Sequence, residues 1–434
     1  MYSRRDIMAG SVVLAGATAL SPVPAAARAL PPLRERLDAD LRAYAAFGPK
    51  NSGSAGDLDS ADWIAERLAS AGFMIEKQPF SVPHFEVRRA DLRAGDKTVA
   101  VQPQLVVVPT GPAGITAPAV LVRNIHEARK VAKAIAVLVL PYGRHASIMS
   151  GTIKAWLDEV VKHGARAVVI STTGPTGSII GLNTRLKPMA PVPIALMAPR
   201  DLPAIEETVA AGKPVTLVVD GTAMERNSTN VIGRRIAGPK WLAFSTPRSG
   251  WGVCAGERGP GTAAFLELCH WATVRYPNHS IFALNSGGHE LDFAGTHQAM
   301  HLAPPAAQTL IWTHLGAGLA TRDAVEVVRR DFMMTHTADP QRVMMVSPSL
   351  HQSAAIAFRG QAGYDDPIDT VGGAGELSSF IDLGYTKAFA GLGIHRWCHV
   401  AEDTLERVDA DLLVPVVEGH RAVVEREIGM MASM

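Results

Sequence analysis

The sequence has 434 residues, of which 47% are hydrophobic and 19% are charged. A chain this long and this apolar is expected to fold into two or three domains, and its composition excludes intrinsic disorder. Because 42 Lys and Arg residues balance 41 Asp and Glu residues, the overall charge provides no binding surface for nucleic acid or an anionic membrane. Three cysteines are too few for a disulfide-built scaffold.

Residues 1–29 are predicted to be a twin-arginine export signal. Ser3-Arg4-Arg5 precedes an apolar stretch over residues 8–20, which is too short to span a bilayer. Cleavage after Ala27 or Ala29 fits the preference for small residues at such sites. We therefore expect a periplasmic or secreted protein without a membrane-spanning helix.

The first half of the chain predicts a helix, a strand and then an inserted domain. A helix is expected over Asp59–Gly72, with Ser60 as its N-cap, and a strand over Phe73–Phe80. Residues 90–222 contain short apolar runs separated by turn residues, with one helix over Thr152–His163. This pattern of short apolar runs and turn residues predicts a compact β-rich domain. The apolar runs are Leu105–Val108, Ala119–Val122, Ile135–Leu140, Ala167–Ile170 and Val215–Val219.

The second half alternates strands with helices. Strands are predicted over Trp241–Phe244, Ser280–Leu284 and Leu310–Leu315, with a helix over Thr262–Tyr276. This alternation predicts an α/β fold with a mostly parallel sheet and helices on both faces. Functional sites in such sheets form on loops at the carboxyl ends of strands. The candidate loops are those after Phe244, Leu284, Leu315 and Leu392.

Polar side chains suited to catalysis occur in these four loops. They are Arg248, Glu257 and Arg258 in the first loop, His289 and Glu290 in the second, His314 in the third, and His395 and His399 in the fourth. Carboxylates and imidazoles are the oxygen and nitrogen ligands of catalytic zinc, which keeps one position open for water. A neighbouring base can accept a proton as that water attacks a carbonyl.

Other chemistries fit the sequence less well. No Gly-x-Ser-x-Gly nucleophile elbow follows a predicted strand. A thiol nucleophile would have to be Cys398, beside His399, or Cys254. A disulfide between Cys254 and Cys398 stays open, because pairing cannot be deduced from sequence.

From about Pro49 onward, the chain resembles metallopeptidase family 28, which includes zinc aminopeptidases and glutaminyl cyclases. Residues 288–295, Gly-His-Glu-Leu-Asp-Phe-Ala-Gly, resemble the family's Glu-Glu-x-Gly-x-x-Gly loop. Residues 399–404, His-Val-Ala-Glu-Asp-Thr, resemble its closing His-Thr-x-x-Asp-Thr motif. The resemblance implies a zinc-aminopeptidase-like catalytic domain over residues 30–89 and 223–434. It also implies that residues 90–222 are an inserted protease-associated domain.

The resemblance implies that the first of the family's two metal sites is lost. Its usual His-x-Asp motif corresponds to Thr246-Pro247-Arg248, and the Asp that completes that site corresponds to His314. Ligands of the second site correspond to Glu257, Glu290 and His399, which would hold one zinc ion.

The family's general base, a glutamate, corresponds to His289, whose imidazole could accept a proton near neutral pH. Arg248 could hold a substrate carboxylate or neutralise an oxyanion.

These expectations combine into a single-metal hydrolase that acts on an amide or peptide-like bond of a small-molecule or peptide-like substrate. Two alternatives stay open at this point. One is a non-hydrolytic lyase, isomerase or cyclase, in which His289, His314 and Arg248 supply acid-base chemistry and an anion clamp. The other is a catalytically dead binding protein. Oligomeric state does not follow from the sequence.

Overall fold

A computed structural model describes residues 30–370 and 375–432. The predicted export signal over residues 1–29 lies outside these ranges. Within these ranges, the residues from Leu33 onward form one compact unit. Among the helices described, none combines the length and the hydropathy needed to cross a membrane.

The described part of the chain contains both helices and strands. The helices are α1 (Leu33–Ala46), α2 (Ala55–Ser70), α3 (Gly151–Lys162), α4 (Leu202–Ala210), α5 (Ala255–Arg275), α6 (Ala294–Ala299), α7 (His351–Ala357), α8 (Leu377–Asp382) and α9 (Ala410–Ala432). The strands of the first half are β1 (Met74–Ala94), β2 (Lys97–Pro103), β3 (Ile115–Ala117), β4 (Ala119–Val122), β5 (Ile135–Val139), β6 (Ala167–Ser171), β7 (Ile194–Met197) and β8 (Val215–Arg235). Those of the second half are β9 (Trp241–Pro247), β10 (Ser280–Ser286), β11 (Thr309–Leu315), β12 (Arg322–Val328), β13 (Asp331–Ala338), β14 (Arg342–Val346), β15 (Ile368–Asp369) and β16 (Ala388–Gly393).

The centre of the molecule is a sheet with the order β15-β14-β16-β11-β9-β10-β8-β1. Strands β10, β9, β11 and β16 run parallel to one another. They are almost wholly buried, as expected for parallel strands covered by helices on both faces. Apolar side chains of α1, α2, α5 and α9 pack on one face, while α8 packs on the other. The predicted α/β fold class is therefore confirmed.

Two long antiparallel strands extend this sheet. Strand β1 pairs with β8 along most of its length, and the sheet continues from β1 in the order β2-β7-β6-β5-β4. Strands β4 to β7 run parallel to one another and have their own apolar clusters. The boundaries predicted at residues 89 and 223 fall inside β1 and β8, and the two-domain division stays a prediction.

Most predicted elements of the second half agree with the observed ones, but one helix in each half begins earlier than expected. Helix α2 begins at Ala55, because Ser54 is its N-cap and accepts a hydrogen bond from the Asp57 backbone N–H. Helix α5 begins at Ala255 instead of Thr262, so the glycine-rich residues predicted as loop form its first turns. The apolar run Leu105–Val108 forms no strand.

Candidate metal centre and adjoining cleft

The start of α5 positions the two charged residues at the centre of the site. Asp403 accepts hydrogen bonds from the backbone N–H groups of Gly256, at 2.8 Å, and Glu257, at 3.0 Å. These bonds satisfy donors that a helix N-terminus leaves free. A side chain at Gly256 would meet the Asp403 carboxylate, since a Cβ there would lie 2.4 Å from Oδ1. Glycine at this position therefore allows Asp403 to cap the helix.

A proline inside α5 is accommodated by a neighbouring hydroxyl. Pro260 has no N–H to donate to the carbonyl of Gly256, four residues earlier. The Thr321 hydroxyl donates to that carbonyl at 3.1 Å. The helix therefore continues through Pro260 and keeps Glu257 and Arg258 in its first turn.

Glu257, Arg258 and His399 form a buried charged cluster. The Glu257 Oε1 atom lies 3.0 Å from His399 Nε2 and 2.6 Å from Arg258 Nη2. The Arg258 contact is an ion pair without hydrogen-bond alignment, because Nη1 and Nη2 have no hydrogen-bond partner in the described chain. The second carboxylate oxygen of Glu257 is also buried and unpartnered there. Such buried polar atoms indicate a site for a ligand or an ion.

His399 is held by two hydrogen bonds with Gly181. The Gly181 N–H donates to the His399 carbonyl at 2.9 Å. The Nδ1 atom of His399 lies 2.8 Å from the Gly181 carbonyl, which can only accept, so Nδ1 carries a proton. This arrangement turns Nε2 toward Glu257, as in histidines that bind metal through one nitrogen and donate from the other. His399 also has a φ of +61°, a backbone conformation that residues other than glycine seldom adopt.

The structure brings one group of possible metal ligands together. Ligand atoms of Glu257, Cys398 and His399 all lie within 4.8 Å of one another. Glu290 is outside this group, and both of its carboxylate oxygens are used elsewhere. Oε1 accepts from the Ser52 N–H at 2.7 Å, and Oε2 accepts from the Ser249 hydroxyl at 2.8 Å. Sequence reasoning therefore found Glu257 and His399 of this group, and considered Cys398 as a nucleophile or a disulfide partner but not as a ligand.

All three cysteines, Cys254, Cys269 and Cys398, are free and buried. The Cys254–Cys398 disulfide that the sequence left open is therefore not formed. Burial raises the pKa of the Cys254 thiol to about 12, which leaves it protonated and a poor nucleophile at neutral pH.

Arg248, predicted to bind substrate, forms a buried ion pair. Its Nε and Nη2 atoms lie 2.9 Å and 2.8 Å from Asp57 Oδ1. Nη1 donates to Asn285 Oδ1 at 2.7 Å, and Nη2 donates to the Thr229 carbonyl. Through these contacts Arg248 connects α2 to strands β8 and β10. The catalytic role predicted for Arg248 stays a prediction. The arginine beside the carboxylate of Glu257 is Arg258.

His289 is paired with a carboxylate that sequence reasoning missed. Its Nδ1 atom lies 3.0 Å from Glu376 Oε1, and the Ser286 hydroxyl contacts the same carboxylate. In the described part of the chain no hydrogen-bond partner faces His289 Nε2. Because Nδ1 donates to Glu376, Nε2 is left free to accept a proton.

His314 lies further inside the protein than His289. The Ser245 hydroxyl accepts a hydrogen bond from Trp312 Nε1 and lies 2.8 Å from His314 Nδ1. Burial lowers the pKa of His314 to about 4, so its imidazole is neutral at pH 7. The nearby Glu376 charge opposes this effect.

Charges inside the centre fix the protonation of its other groups. Burial and the Arg258 charge lower the pKa of His289. Burial opposes ionisation of Glu376, but the hydrogen bond and charge of His289 outweigh it and lower the pKa of Glu376 to about 2. Burial likewise disfavours a charged His399, yet Cys398 and Glu257 raise its pKa well above its ordinary range. At neutral pH the centre therefore contains a charged carboxylate beside a neutral His289.

A cleft of roughly 610 Å³ leads to this centre. His399, Glu290 and Trp251 are among the residues that line it. One wall comes from the predicted inserted domain. Residues 178–184 of that domain bind the site loops at three further points: Ser178 to Glu402, Asn183 to Trp251 and Thr184 to Glu290.

The residues present fit one metal ion and do not fit two. Glu257 offers an unpartnered oxygen and Cys398 a sulfur, and His399 Nε2, which faces Glu257 Oε1, would bind the ion after losing its proton. Zinc accepts all three kinds of ligand. At the positions expected for a second ion, the Thr246 hydroxyl donates to the Leu315 carbonyl and Arg248 is paired. The guanidinium of Arg258 is a further obstacle to a second metal ion, because its positive charge lies against Glu257.

Solved structures of peptidases have the same fold. A zinc aminopeptidase from Bacillus subtilis is 18% identical, with a TM-score of 0.71 over 92% of this chain and 96% of that chain. A precursor peptidase of metallopeptidase family 28 from Shewanella amazonensis is 16% identical, with a TM-score of 0.69 over 90% of this chain and 94% of that chain. An aminopeptidase from Aneurinibacillus sp. is 16% identical, with a TM-score of 0.65 over 91% of this chain and 93% of that chain.

Sequence comparisons gave no corresponding result. No family model matches the chain, and no curated protein matches it. At 16–18% identity, structural likeness identifies a fold and does not transfer an activity. The chain thus has the fold of the zinc aminopeptidases, and its resemblance to metallopeptidase family 28 is confirmed in its three-dimensional structure.

Proposed function

We propose that this protein is a hydrolase of amide or peptide-like bonds that uses one zinc ion. The observation that supports it best is the group formed by Glu257, Cys398 and His399, of which His399 lines a substrate-sized cleft. These three residues would hold the ion. When bound, zinc would polarise the substrate carbonyl and make a water molecule a better nucleophile.

Residues around this group are suited to the remaining tasks of hydrolysis. His289 can accept a proton at Nε2, because Glu376 holds Nδ1 as a donor. The buried guanidinium of Arg258 has two amino groups without hydrogen-bond partners in the described chain. Its positive charge can stabilise negative charge that develops nearby during the reaction. Asp403 fixes Glu257 by capping α5.

A second candidate is an enzyme that works without metal. The contact between Arg258 and Glu257 supports it, because the arginine already neutralises the carboxylate. In this case His289 and Glu376 would transfer protons, and Arg258 would bind an anionic group of the substrate. Lyase, isomerase or cyclase chemistry would then be open to the same site.

Release of amines from a panel of peptide and acyl amides, with and without a chelator, distinguishes the candidates. Turnover that is lost with chelator and restored by zinc supports the hydrolase. Turnover that persists in chelator at full rate contradicts the zinc proposal and favours the second candidate. Absence of turnover on every amide, in protein loaded with zinc, would overturn the proposal of hydrolysis.

We further propose export by the twin-arginine route, on the sequence of residues 1–29 alone. Replacement of Arg4 and Arg5 with lysine in the full chain is expected to keep the protein in the cytoplasm. Detection of the doubly substituted protein outside the cytoplasm at the unchanged level would contradict this.

A further inference from the structure

Strand β1 has one backbone edge that no other described strand covers where it passes the cleft. On one side β1 pairs with β8 along nearly its whole length. Among the described residues, its other side is paired only over residues 91–94, with β2. No backbone hydrogen bond joins residues 81–88 to a described segment other than β8. Such an edge presents backbone donors and acceptors to whatever lies beside it.

The register of the β1–β8 pair identifies the backbone groups that this edge presents. Pro79 is opposite Thr229, whose carbonyl accepts a hydrogen bond from Arg248 and so points away from β1. In an antiparallel ladder, opposed residues face each other and face apart in alternate pairs. Pro79 therefore faces away from β8, where a residue without an N–H is tolerated. Every second residue after it faces the same edge, up to the irregularity that follows Val87: Ser81, Pro83, Phe85 and Val87.

The cleft lies along this edge and not over one face of the strand pair. Pro83, His84, Phe85 and Val87 of β1 line it, and the residues opposite them on β8 do not. Side chains of His84 and Phe85 point to opposite faces of the strand pair, so the place that both residues share is the edge. The cleft is therefore bordered by the N–H groups of Phe85 and Val87 and by the carbonyls of Pro83, Phe85 and Val87.

The same cleft contains part of the candidate metal centre. His399 lines it together with Glu290 and Trp251, so the edge of β1 and a proposed zinc ligand are surfaces of one cavity. At about 3.3 Å per residue, the edge from Pro83 to Val87 is roughly 13 Å long, which accommodates about four or five residues of an extended chain.

We infer that the cleft binds its substrate as an extended peptide, which adds to the edge of β1 as a further strand. The peptide backbone would pair with Phe85, Val87 and the carbonyl of Pro83, in the manner of β-strand addition. Recognition of this kind depends on the peptide backbone and tolerates many side chains. The inference rests on the proposed function and narrows its substrate class from amides in general to peptide segments of about five residues or more.

A scan of N-methylated peptides tests the inference directly. The probe is the tightest binder in a panel of acetylated hexapeptide amides, measured by calorimetric titration of the full chain with chelator present. Each backbone nitrogen of this peptide is then methylated in turn. Affinity should fall at least about tenfold at alternate positions and less than about threefold between them, because only every second N–H of an added strand faces its partner.

Two results of these titrations would overturn the inference. One is an equal effect of methylation at all positions, or no effect at any position. The other is a panel in which no hexapeptide binds more tightly than the acetylated amides of single amino acids, since such small ligands cannot form a strand.

Two proline substitutions provide a matched pair in the protein. Val87 and Ser81 both face the edge, so proline at either position removes no hydrogen bond to β8. Val87 lines the cleft, whereas Ser81 does not. Val87→Pro should weaken hexapeptide binding at least about tenfold, because proline has no N–H to donate to the added strand. Ser81→Pro should bind the peptide as the wild type does. Equal affinities of the two variants, at matching unfolding temperatures, would contradict the inference.

Hydrogen exchange in the unmodified chain tests the same edge without a substitution. The amides of Phe85 and Val87 should exchange at least about tenfold more slowly when the hexapeptide is bound. The amide of Ala223, opposite Phe85 on β8, faces the other edge of the strand pair and is the internal control. Unchanged exchange at Phe85 and Val87 in the peptide complex would overturn the inference.

Peptide binding and turnover separate this inference from the proposed hydrolase. Binding with the alternating pattern, by protein that neither retains zinc nor hydrolyses any amide, would refute the hydrolase and leave the inference intact. Zinc-dependent hydrolysis by protein that lacks this pattern would refute the inference and leave the hydrolase intact.

Discussion

Gly181 and His399 are joined by two hydrogen bonds, one in each direction, at 2.9 Å and 2.8 Å. Gly181 lies in the predicted inserted domain, whereas His399 follows the last strand of the central sheet. The pair therefore makes a residue of the insert part of the support for a metal ligand. A carbonyl that fixes the tautomer and direction of a ligating histidine commonly contributes to metal affinity.

Substitution of Gly181 should disturb both this contact and the cleft. In Gly181→Ala the new Cβ would lie 2.7 Å from the Trp251 ring, so the ring or the Gly181 segment must move. We expect a loss of about 1–3 kcal/mol in unfolding free energy and about a tenfold weaker affinity for zinc. Equilibrium unfolding and competitive zinc titration measure these effects. The control is Gly151→Ala, where no atom lies within 4 Å of the added Cβ; equal effects of both substitutions would refute the role of Gly181.

Single substitutions should separate the metal ligands from their neighbours. Three substitutions each remove one metal-ligand atom of the group: Glu257→Gln, Cys398→Ser and His399→Ala. Each should lower the amount of bound zinc at least about tenfold. Glu290→Gln should retain zinc, because Glu290 is bonded to Ser52 and Ser249. Elemental analysis of the purified variants gives the result. If Glu290→Gln loses as much zinc as His399→Ala while Cys398→Ser loses none, the ligand set predicted from sequence is right and the one assigned from the structure is wrong.

Glu376 should contribute to turnover without contributing to zinc binding. In Glu376→Gln the charge that orients and supports His289 is lost, so kcat should fall about 10- to 100-fold with little change in KM. Zinc content should equal that of the wild type. The exposed Glu406→Gln substitution is the matched control and should leave kcat unchanged. A variant with wild-type kcat would show that Glu376 has no part in the reaction.

A buried histidine that does not line the cleft should make stability depend on pH. His420 packs between Phe358 and Phe389, and burial lowers its pKa from 6.5 to about 4. As the pH falls, the unfolded chain binds a proton near pH 6.5, before the folded chain does. The contribution of the neutral His420 to stability is therefore complete above pH 6.5 and is lost between about pH 6.5 and 4.

Urea unfolding at pH 7.5 and pH 5.0 measures this contribution. Wild-type protein should lose about 2 kcal/mol more between these pH values than His420→Leu does. The exposed His351→Leu variant should follow the wild type. Parallel losses in all three proteins would mean that His420 does not bind its proton preferentially in the unfolded chain.

Sequence patterns predicted the parallel core well, because its strands are short apolar runs bounded by turns. Strands β9, β10 and β11 begin within one residue of their predicted starts. Of the long pair β1 and β8, only the first parts were predicted, by the strand over Phe73–Phe80 and the apolar run over Val215–Val219. Their exposed middle sections contain no apolar run that distinguishes a strand.

The site was predicted only where a motif marked it. Glu257 and His399 follow from such motifs, but the partners Glu376, Asp57 and Gly181 do not. Each of these lies far along the chain from the residue that it contacts, so only the folded chain reveals the pairing. The same limitation hid the ion pair of Arg248 with Asp57 and the contact of Arg258 with Glu257.

Elemental analysis of the wild-type protein, purified without chelator and without added metal, tests the central claim most directly. The group of Glu257, Cys398 and His399 predicts about one equivalent of zinc per chain. A chelator should remove this zinc and abolish amide hydrolysis. Less than about a tenth of an equivalent, with hydrolysis unaffected by chelator, would contradict a single-zinc hydrolase.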